Sequence, residues 1–323
     1  MDRDTNAPLF SLLSGDGAGA VLASAAGDVA GGLDVHGYSA LTQQATVTAY
    51  HLMRHGEVRA AALAEELFEL DGDDAYVSVY REVSPDLRSF LDAYRRGERW
   101  ATPTPSSEPG VQGVPIGLWY RRDPEGLVEA ALDVTSLTHS DAATATAVCA
   151  VAAAVAASTF AQSGRDLPAA AIEVAEAAAE RIARRFRGPD AATVPARMRS
   201  ALSAVGASPD EVREALGCAA DPQGVDAALL SVFLAAPVVR EPFRLIESGA
   251  LVGGSLCGAL VGAMVGARVG IVLWPWVVPN DTWFAEIGRR LVRAERMYED
   301  LPVPYAVEER LTLGIKERGY GTL

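Results

Sequence analysis

The stretch GALVGGSLCGALVGAMVGARVG, Gly249–Gly270, narrows the possible folds more than any other part of the chain. Its first acid or base is Arg268, and glycine recurs at every fourth position: Gly254, Gly258, Gly262, Gly266 and Gly270. That spacing lines the glycines along one side of a helix. A glycine in a water-exposed helix interior costs about 1 kcal/mol relative to alanine. Five on one side are tolerable only where another backbone packs closely. The uncharged run Gly249–Ala267 approaches the length of a membrane span, and small residues four apart also bring transmembrane helices together. Against a span, the run is poor in large lipophilic side chains, and no other segment matches it with basic flanks. The reading is a buried helix in a protein core, with no membrane partner.

The rest of the composition agrees. Half of the 323 residues are hydrophobic, ample for a large core. A formal net charge of −14 argues against nucleic acid or an anionic membrane as main partner, and fits a protein that handles a small molecule. Cys149, Cys218 and Cys257 lie in Ala-rich or apolar stretches without metal-ligand spacing, and read as buried reduced thiols. The N-terminal MDRDTNAPLF lacks a positive n-region, so no signal peptide is expected and the expected location is cytoplasmic. Nothing in the sequence sets the oligomeric state.

Helical patterns dominate, over Ala18–Ala30, Thr46–His55, Ala60–Leu70, Ser84–Arg95, Asp141–Gln162, Leu167–Arg187, Ser208–Leu216, Val225–Ala236 and Asp281–Tyr298. Ser84 before Pro85 reads as a helix cap. Asp141–Gln162 is small and apolar all round, which places it centrally. Strand signals are confined to short runs such as Tyr76–Tyr80 and Val269–Val278. Ala101–Gly113, rich in Pro, Ser and Gly, reads as a loop. No boundary cuts the chain, so one all-α domain over residues 1–323 is expected.

Several landmarks then fall in a recognisable order. Gly27-Asp28-Val29-Ala30-Gly31 closes the first helical pattern. Thr138-His139-Ser140-Asp141 opens the Ala-rich one. Pro115-Ile116-Gly117 lies between them. The Gly258–Gly266 ladder follows, and then Val278-Pro279-Asn280-Asp281-Thr282-Trp283. These resemble the ADP-ribosylglycohydrolase family's G-D-A-x-G, T-H-x-[DH], P-L-G, G-A-x-x-G-A-x-x-G and I-P-x-x-W motifs, across roughly Leu9 to Val292. The resemblance implies a single-domain helical bundle. It also implies cleavage of an N- or O-glycosidic bond to ADP-ribose at a dinuclear Mg²⁺ or Mn²⁺ site, with ligands from T-D-D-T and D-T-D-T motifs. Hard divalent cations demand such carboxylates.

This chain departs from the pattern at that point. Thr42-Gln43-Gln44-Ala45 stands in place of T-D-D-T. Counted back from Gly258, the D-T-D-T position reads Gly249-Ala250-Leu251-Val252. Ser106-Ser107-Glu108-Pro109 replaces the family's Gly/Asn segment. No metal and no other cofactor is therefore expected. The remaining polar candidates are Asp28 and Asp141 for acid–base work, and Thr42, Gln43, Gln44, Glu108 and His139 for ligand binding. Trp119 and Tyr120 read as core residues. His51 and His55 fall four apart on one helical run that carries no acid, and His36 lacks a metal-partner pattern. The leading expectation is a catalytically divergent binder of an ADP-ribose-like or nucleotide-derived ligand. Two alternatives stand beside it: a metal-independent enzyme for N-glycoside cleavage or another reaction of a specialised metabolite, and an interaction protein with a plugged cleft.

Overall fold

The structure is a computed structural model that describes residues 17–317, apart from 33–36, 73–77, 99–100, 102–105, 107, 162, 189–190, 221, 223, 238, 271–273 and 298–299. Fourteen α-helices run in chain order. They are α1 (Ala20–Gly31), α2 (Ala40–His55), α3 (Ala60–Glu69), α4 (Pro85–Arg95), α5 (Gly110–Trp119), α6 (Pro124–Thr138) and α7 (Ala142–Ser158). Then come α8 (Asp166–Arg185), α9 (Thr193–Ser200), α10 (Pro209–Ala215), α11 (Val225–Ala235), α12 (Pro242–Val269), α13 (Asp281–Arg293) and α14 (Pro304–Glu317). Among the described residues there is no strand, only one parallel bridge between Asp141 and Arg187. The fold is all-α, as the sequence indicates.

The glycine ladder lies on α12, antiparallel to α1, with backbone against backbone. A Cβ built at Gly27 would lie 1.9 Å from the Gly258 carbonyl oxygen, and one at Gly262 would lie 2.0 Å from that of Ala23. At the ends of the same seam, one at Gly19 would meet Gly270 O at 1.9 Å and one at Gly31 would meet Ser255 N at 2.5 Å. α12 is the one described helix long and apolar enough to cross a membrane, but most of its apolar stretch is buried inside the protein. It is also broken. Gly253 (φ −133°, ψ 21°) and Gly254 (φ 64°, ψ −163°) leave helical geometry, and the left-handed φ at Gly254 suits a residue without Cβ.

Around this pair, α7 is the central helix, its residues buried on nearly every side. Its hydroxyls are satisfied inside the core by bonding back along the helix: Thr146 Oγ1 donates to Ala142 O and Ser158 Oγ to Ala154 O, both at 2.7 Å. Helix starts follow local chemistry. Ser84 accepts from Leu87 N ahead of Pro85, Asp123 accepts from Gly126 N, and Ser208 forms a capping box with Glu211. Arg268 closes the C-terminus of α11, where Nη1 donates to the carbonyls of Ala235, Ala236 and Pro237 at 2.8, 3.2 and 2.7 Å.

Three helices go beyond the sequence patterns: α6, α9 and α14. A fourth corrects one. Gly110–Gly113 belongs to α5, not to a loop, even though Pro115 lies inside that helix. Packing overrides the local Gly/Pro signal here, because the missing side chains let α5 press on α7. A Cβ at Gly117 would sit 2.3 Å from Ala152 O. Of the two strand runs, residues 76, 77 and 271–273 lie outside the described residues. Val269 ends α12, and the remaining described residues of both runs form no strand.

If the α1–α12 seam is set by backbone contact, Gly27→Ala and Gly258→Ala should each lower unfolding free energy by about 1–3 kcal/mol or more, as overpacking does. Gly110→Ala, whose Cβ would meet only ordinary contacts at 3.7 and 3.9 Å, should be close to neutral. Urea titrations of the three variants decide it, and equal midpoints would refute the seam.

Candidate functional site

Asp28 lies in the last turn of α1 and is 1% exposed. Its Oδ2 accepts from Ser39 N (2.9 Å), Thr42 N (3.3 Å) and Thr42 Oγ1 (2.7 Å), and Ser39 Oγ donates to both carboxylate oxygens at 3.0 Å. Burial pushes the carboxyl up, and these hydrogen bonds pull it part of the way back. Ser39 is also the N-cap of α2. Asp28 therefore staples α1 to the positive N-terminal end of α2. Both of its oxygens are engaged by the protein, Oδ2 by several donors and Oδ1 by the Ser39 hydroxyl alone. Thr42, expected as a ligand-binding residue, belongs to the same staple as Asp28, and neither lines the pocket formed by Glu108 and its neighbours.

Gln43 turns away from the cleft. Its Nε2 donates to Val79 O (2.8 Å) and Glu308 Oε2 (3.0 Å), and its Oε1 accepts from Arg81 N (3.0 Å). Glu308 forms a fully buried ion pair with Arg81 (Nη2–Oε2, 2.8 Å) and accepts from Tyr38 OH at 3.0 Å. Arg81 Nε donates to Tyr38 O at 2.8 Å, and its guanidinium lies 4.4 Å from the Tyr38 ring centroid. Burial lowers the Arg81 pKa, and the Glu308 carboxylate more than restores it, leaving it raised. The sequence reading missed both Arg81 and Glu308. They lie 227 residues apart, and no local pattern joins them.

Gln44 faces the other way. Its Nε2 donates to Glu108 Oε1 at 2.9 Å, and its Oε1 accepts from Gln112 Nε2 at 3.2 Å. Ser84 Oγ donates to Glu108 Oε2 in a short 2.5 Å bond. Glu108 is 9% exposed, and burial pushes its carboxyl up against the pull of Ser84 and Gln44. Glu108 lines a pocket of about 310 Å³ with Ser39, Ser84, Asp86, Ser106 and Ser255, and Leu41 and Leu256 add apolar surface. Glu82 completes its charged lining, which holds no Lys or Arg among the described residues. The adjoining positions 102–105, 107, 221 and 223 add no Lys or Arg in sequence.

His139 and Asp141 are not among the described residues that line that pocket. Asp141 caps α7, with Oδ1 accepting from Thr144 N at 2.7 Å, while the buried Oδ2 has no hydrogen-bond partner among the described residues. His139 Nδ1 lies 2.8 Å from Thr138 Oγ1, and Nε2 lies 3.5 Å from Asp86 Oδ2, an ion-pair separation too long for a good hydrogen bond. Burial lowers the His139 pKa, against the pull of Asp86 and Asp141. Asp86, missed in the sequence, links this pair to the pocket.

The remaining aromatic and histidine candidates lie elsewhere. Trp119 donates to Gly56 O (3.3 Å), and Tyr120 lines a separate groove between α6, α7 and α8. His36 lies outside the described residues. For His51 and His55 the fold does supply an acid, Glu66 of α3. The tautomer rules against a metal there. Arg59 N–H donates to His51 Nε2 at 2.9 Å, so His51 Nδ1 carries the proton and gives it to Glu66 Oε2 at 2.8 Å. The three side chains tie α2 to α3.

The break at Gly253–Gly254 also relocates the second acid motif. The family pattern places a Gly-Gly pair directly before its D-T-D-T. On that register the acid positions fall on Ser255 and Cys257, not within Gly249–Val252. Ser255 lines the pocket; Cys257 is buried, its thiol pushed up to about 12 by burial. Either register lacks a carboxylate. At these motif positions, two amides already bonded inside the protein, a hydroxyl and a protonated thiol do not supply the anionic oxygens that a pair of hard cations needs.

Compared with known proteins, the chain matches the ADP-ribosylglycohydrolase family model over residues 16–301. No curated protein sequence gives a significant match. Among solved structures, it is similar to an "ADP-ribosylglycohydrolase-related protein complex" at 16% identity and a TM-score of 0.63, covering 86% of this chain and 97% of that one. That likeness concerns the fold.

The Arg81–Glu308 pair yields a double-mutant test. Glu308→Leu leaves a buried guanidinium unpaired and should cost about 3–5 kcal/mol. Arg81→Met with Glu308→Leu should recover a substantial part of that loss in chemical denaturation. Additive losses would show that the pair is not coupled.

Proposed function

The chain belongs to the ADP-ribosylglycohydrolase family, and from that premise we propose that it is a metal-free, catalytically divergent member that binds the ribosyl or nucleoside part of a nucleotide-derived small molecule. One observation carries the reading. At the positions where the family pattern has metal-binding acids, Gln43 and Gln44 are engaged inside the protein, and Ser255 and Cys257 bring no charge. What borders the pocket is a set of hydroxyls and carboxylates. Vicinal ribose hydroxyls donate well to a carboxylate such as Glu108. Phosphates lack a cation there and are repelled by Glu82, Asp86 and Glu108. The free cysteines support a reducing, cytoplasmic location.

A second reading draws on Glu108 and Asp86. A carboxyl raised by burial beside a second carboxylate is the pairing that metal-free glycoside cleavage uses, one acid protonated and one ionised. The open polar pocket supports either of these over a plugged interaction surface.

Calorimetry and turnover separate the readings. The binder should show no Mg²⁺- or Mn²⁺-dependent release of ADP-ribose from ADP-ribosyl-arginine. It should bind adenosine more tightly than ADP-ribose, and Glu108→Ala should weaken adenosine binding about tenfold, the scale of a charge-assisted hydrogen bond. Protonation removes an acceptor, so binding should also weaken as pH falls through the raised Glu108 pKa. Metal-dependent release would overturn the proposal. Metal-free cleavage of a nucleoside that is lost in Glu108→Gln would favour the second reading.

A further inference from the structure

The second cavity of similar size has the opposite character. A groove of about 330 Å³ opens between the end of α5, α6, α7 and α8. Its floor is Ala153, Ala156 and Ala157 of α7 with Ala170 of α8, whose short side chains leave the space between these helices unfilled. Leu127 and Val174 add apolar wall. The floor ends at Phe160, a large ring left 49% exposed. Arg121 and Arg122 stand over that ring, with guanidinium carbons 5.4 and 5.8 Å from its centroid. Arg121 is held in place by donating from Nε to Val292 O at 2.9 Å. Among the described residues, Arg122 makes no ion pair and no acid lines the groove. In a chain of net charge −14, two arginines and no carboxylate among the described residues that line an apolar hollow form a local reversal of sign.

We infer that this groove binds a small amphiphilic carboxylate, an aryl- or alkyl-carboxylic acid, with its apolar body on the alanine floor beside Phe160 and its carboxylate on Arg122. The cavity falls in the size range of small-molecule sites. A guanidinium offers a planar, two-pronged donor that matches a carboxylate, and the ring beneath it keeps that donor at the mouth. A neutral ligand of the same shape gains the apolar contact but leaves the arginine facing water. A phosphorylated or otherwise hydrophilic anion gains the charge contact but leaves the floor uncovered. The site is separate from the Glu108 pocket, and the inference does not depend on what that pocket binds.

The probes are 3-phenylpropionate and its neutral counterpart 3-phenylpropanol, titrated calorimetrically into the full chain. Wild type should bind the acid at least tenfold more tightly than the alcohol. Arg122→Glu, at an exposed position that leaves the fold intact, should abolish that preference while retaining residual alcohol binding. Ala157→Trp should fill the hollow and weaken both probes at least tenfold. Phe160→Ala serves the same purpose if Ala157→Trp does not fold, as judged by circular dichroism. Equal binding of acid and alcohol, an unchanged preference in Arg122→Glu, or no binding of either at millimolar concentration would each overturn the inference.

Discussion

The antiparallel contact between α1 and α12 is the constraint on which the rest of the structure depends. Two backbones meet where Gly19, Gly27 and Gly31 face Gly270, Gly258 and Gly254–Ser255, with separations that leave no room for a Cβ. At that distance the helices are locked in axial position as well as side by side, since a shift of one residue would drive a side chain into a carbonyl. The lock fixes where α1 ends, and so where Asp28 is delivered. Asp28 in turn fixes the N-terminus of α2, from which Gln43 and Gln44 diverge. The pocket is thus positioned by a contact containing almost no polar chemistry.

This explains which parts were legible in the sequence. A glycine every fourth residue is a direct statement about close approach, and it survives any uncertainty over partner helices. Ser84-Pro85, Ser208-Pro209 with Glu211, and Asp141 announce helix starts by chemistry acting within three residues. α5 was hidden because Gly and Pro speak locally for a loop, whereas here they permit contact with α7. The site was half legible. That the acid motifs are absent could be read directly, and Glu108 was found on the pocket wall. What the two glutamines do instead depends on Glu308, 265 residues from Gln43, and on Ser84 and Gln112. No spacing rule reports such partners. Asp28 shows the same limit: an acid in a motif suggests chemistry, and only the geometry shows that it also bonds Ser39 and Thr42 at the start of α2.

The two glutamines also show how an interior adapts when carboxylates are absent. A buried amide needs partners for its N–H₂ and its C=O, or it costs about 1–3 kcal/mol. Gln43 meets this need by joining an ion pair, and Arg81 supplies there a positive charge fixed to the chain. Gln44 meets it through Glu108, at the end of a chain of amides that begins at Gln112. The polarity of that chain matters. Gln112 donates to Gln44 and Gln44 donates to Glu108, so the donors run toward the pocket and end on a carboxylate. The network therefore holds Glu108 by one oxygen and Ser84 holds it by the other. A group so held is preorganised, and its orientation is set before any ligand arrives.

Polar character across the molecule is consequently sorted by helix packing rather than by overall charge. On one side, the α2 and α4 starts and the turn before α5 bring Ser39, Ser84 and Glu108 together, and acids dominate the opening. On the other, the α5–α6 turn carries Arg121 and Arg122 over a floor made by alanines of α7. The same central helix contributes to both: Thr144, near its N-terminus, bonds Ser106 beside the acidic pocket, and Ala153–Ala157, near its C-terminus, floor the basic groove. Small side chains along α7 let neighbouring helices approach closely through most of its length. Where the neighbours diverge at its C-terminal end, the same small side chains leave the space of the groove, and the turn that carries Arg121 and Arg122 across it sets the sign of that groove.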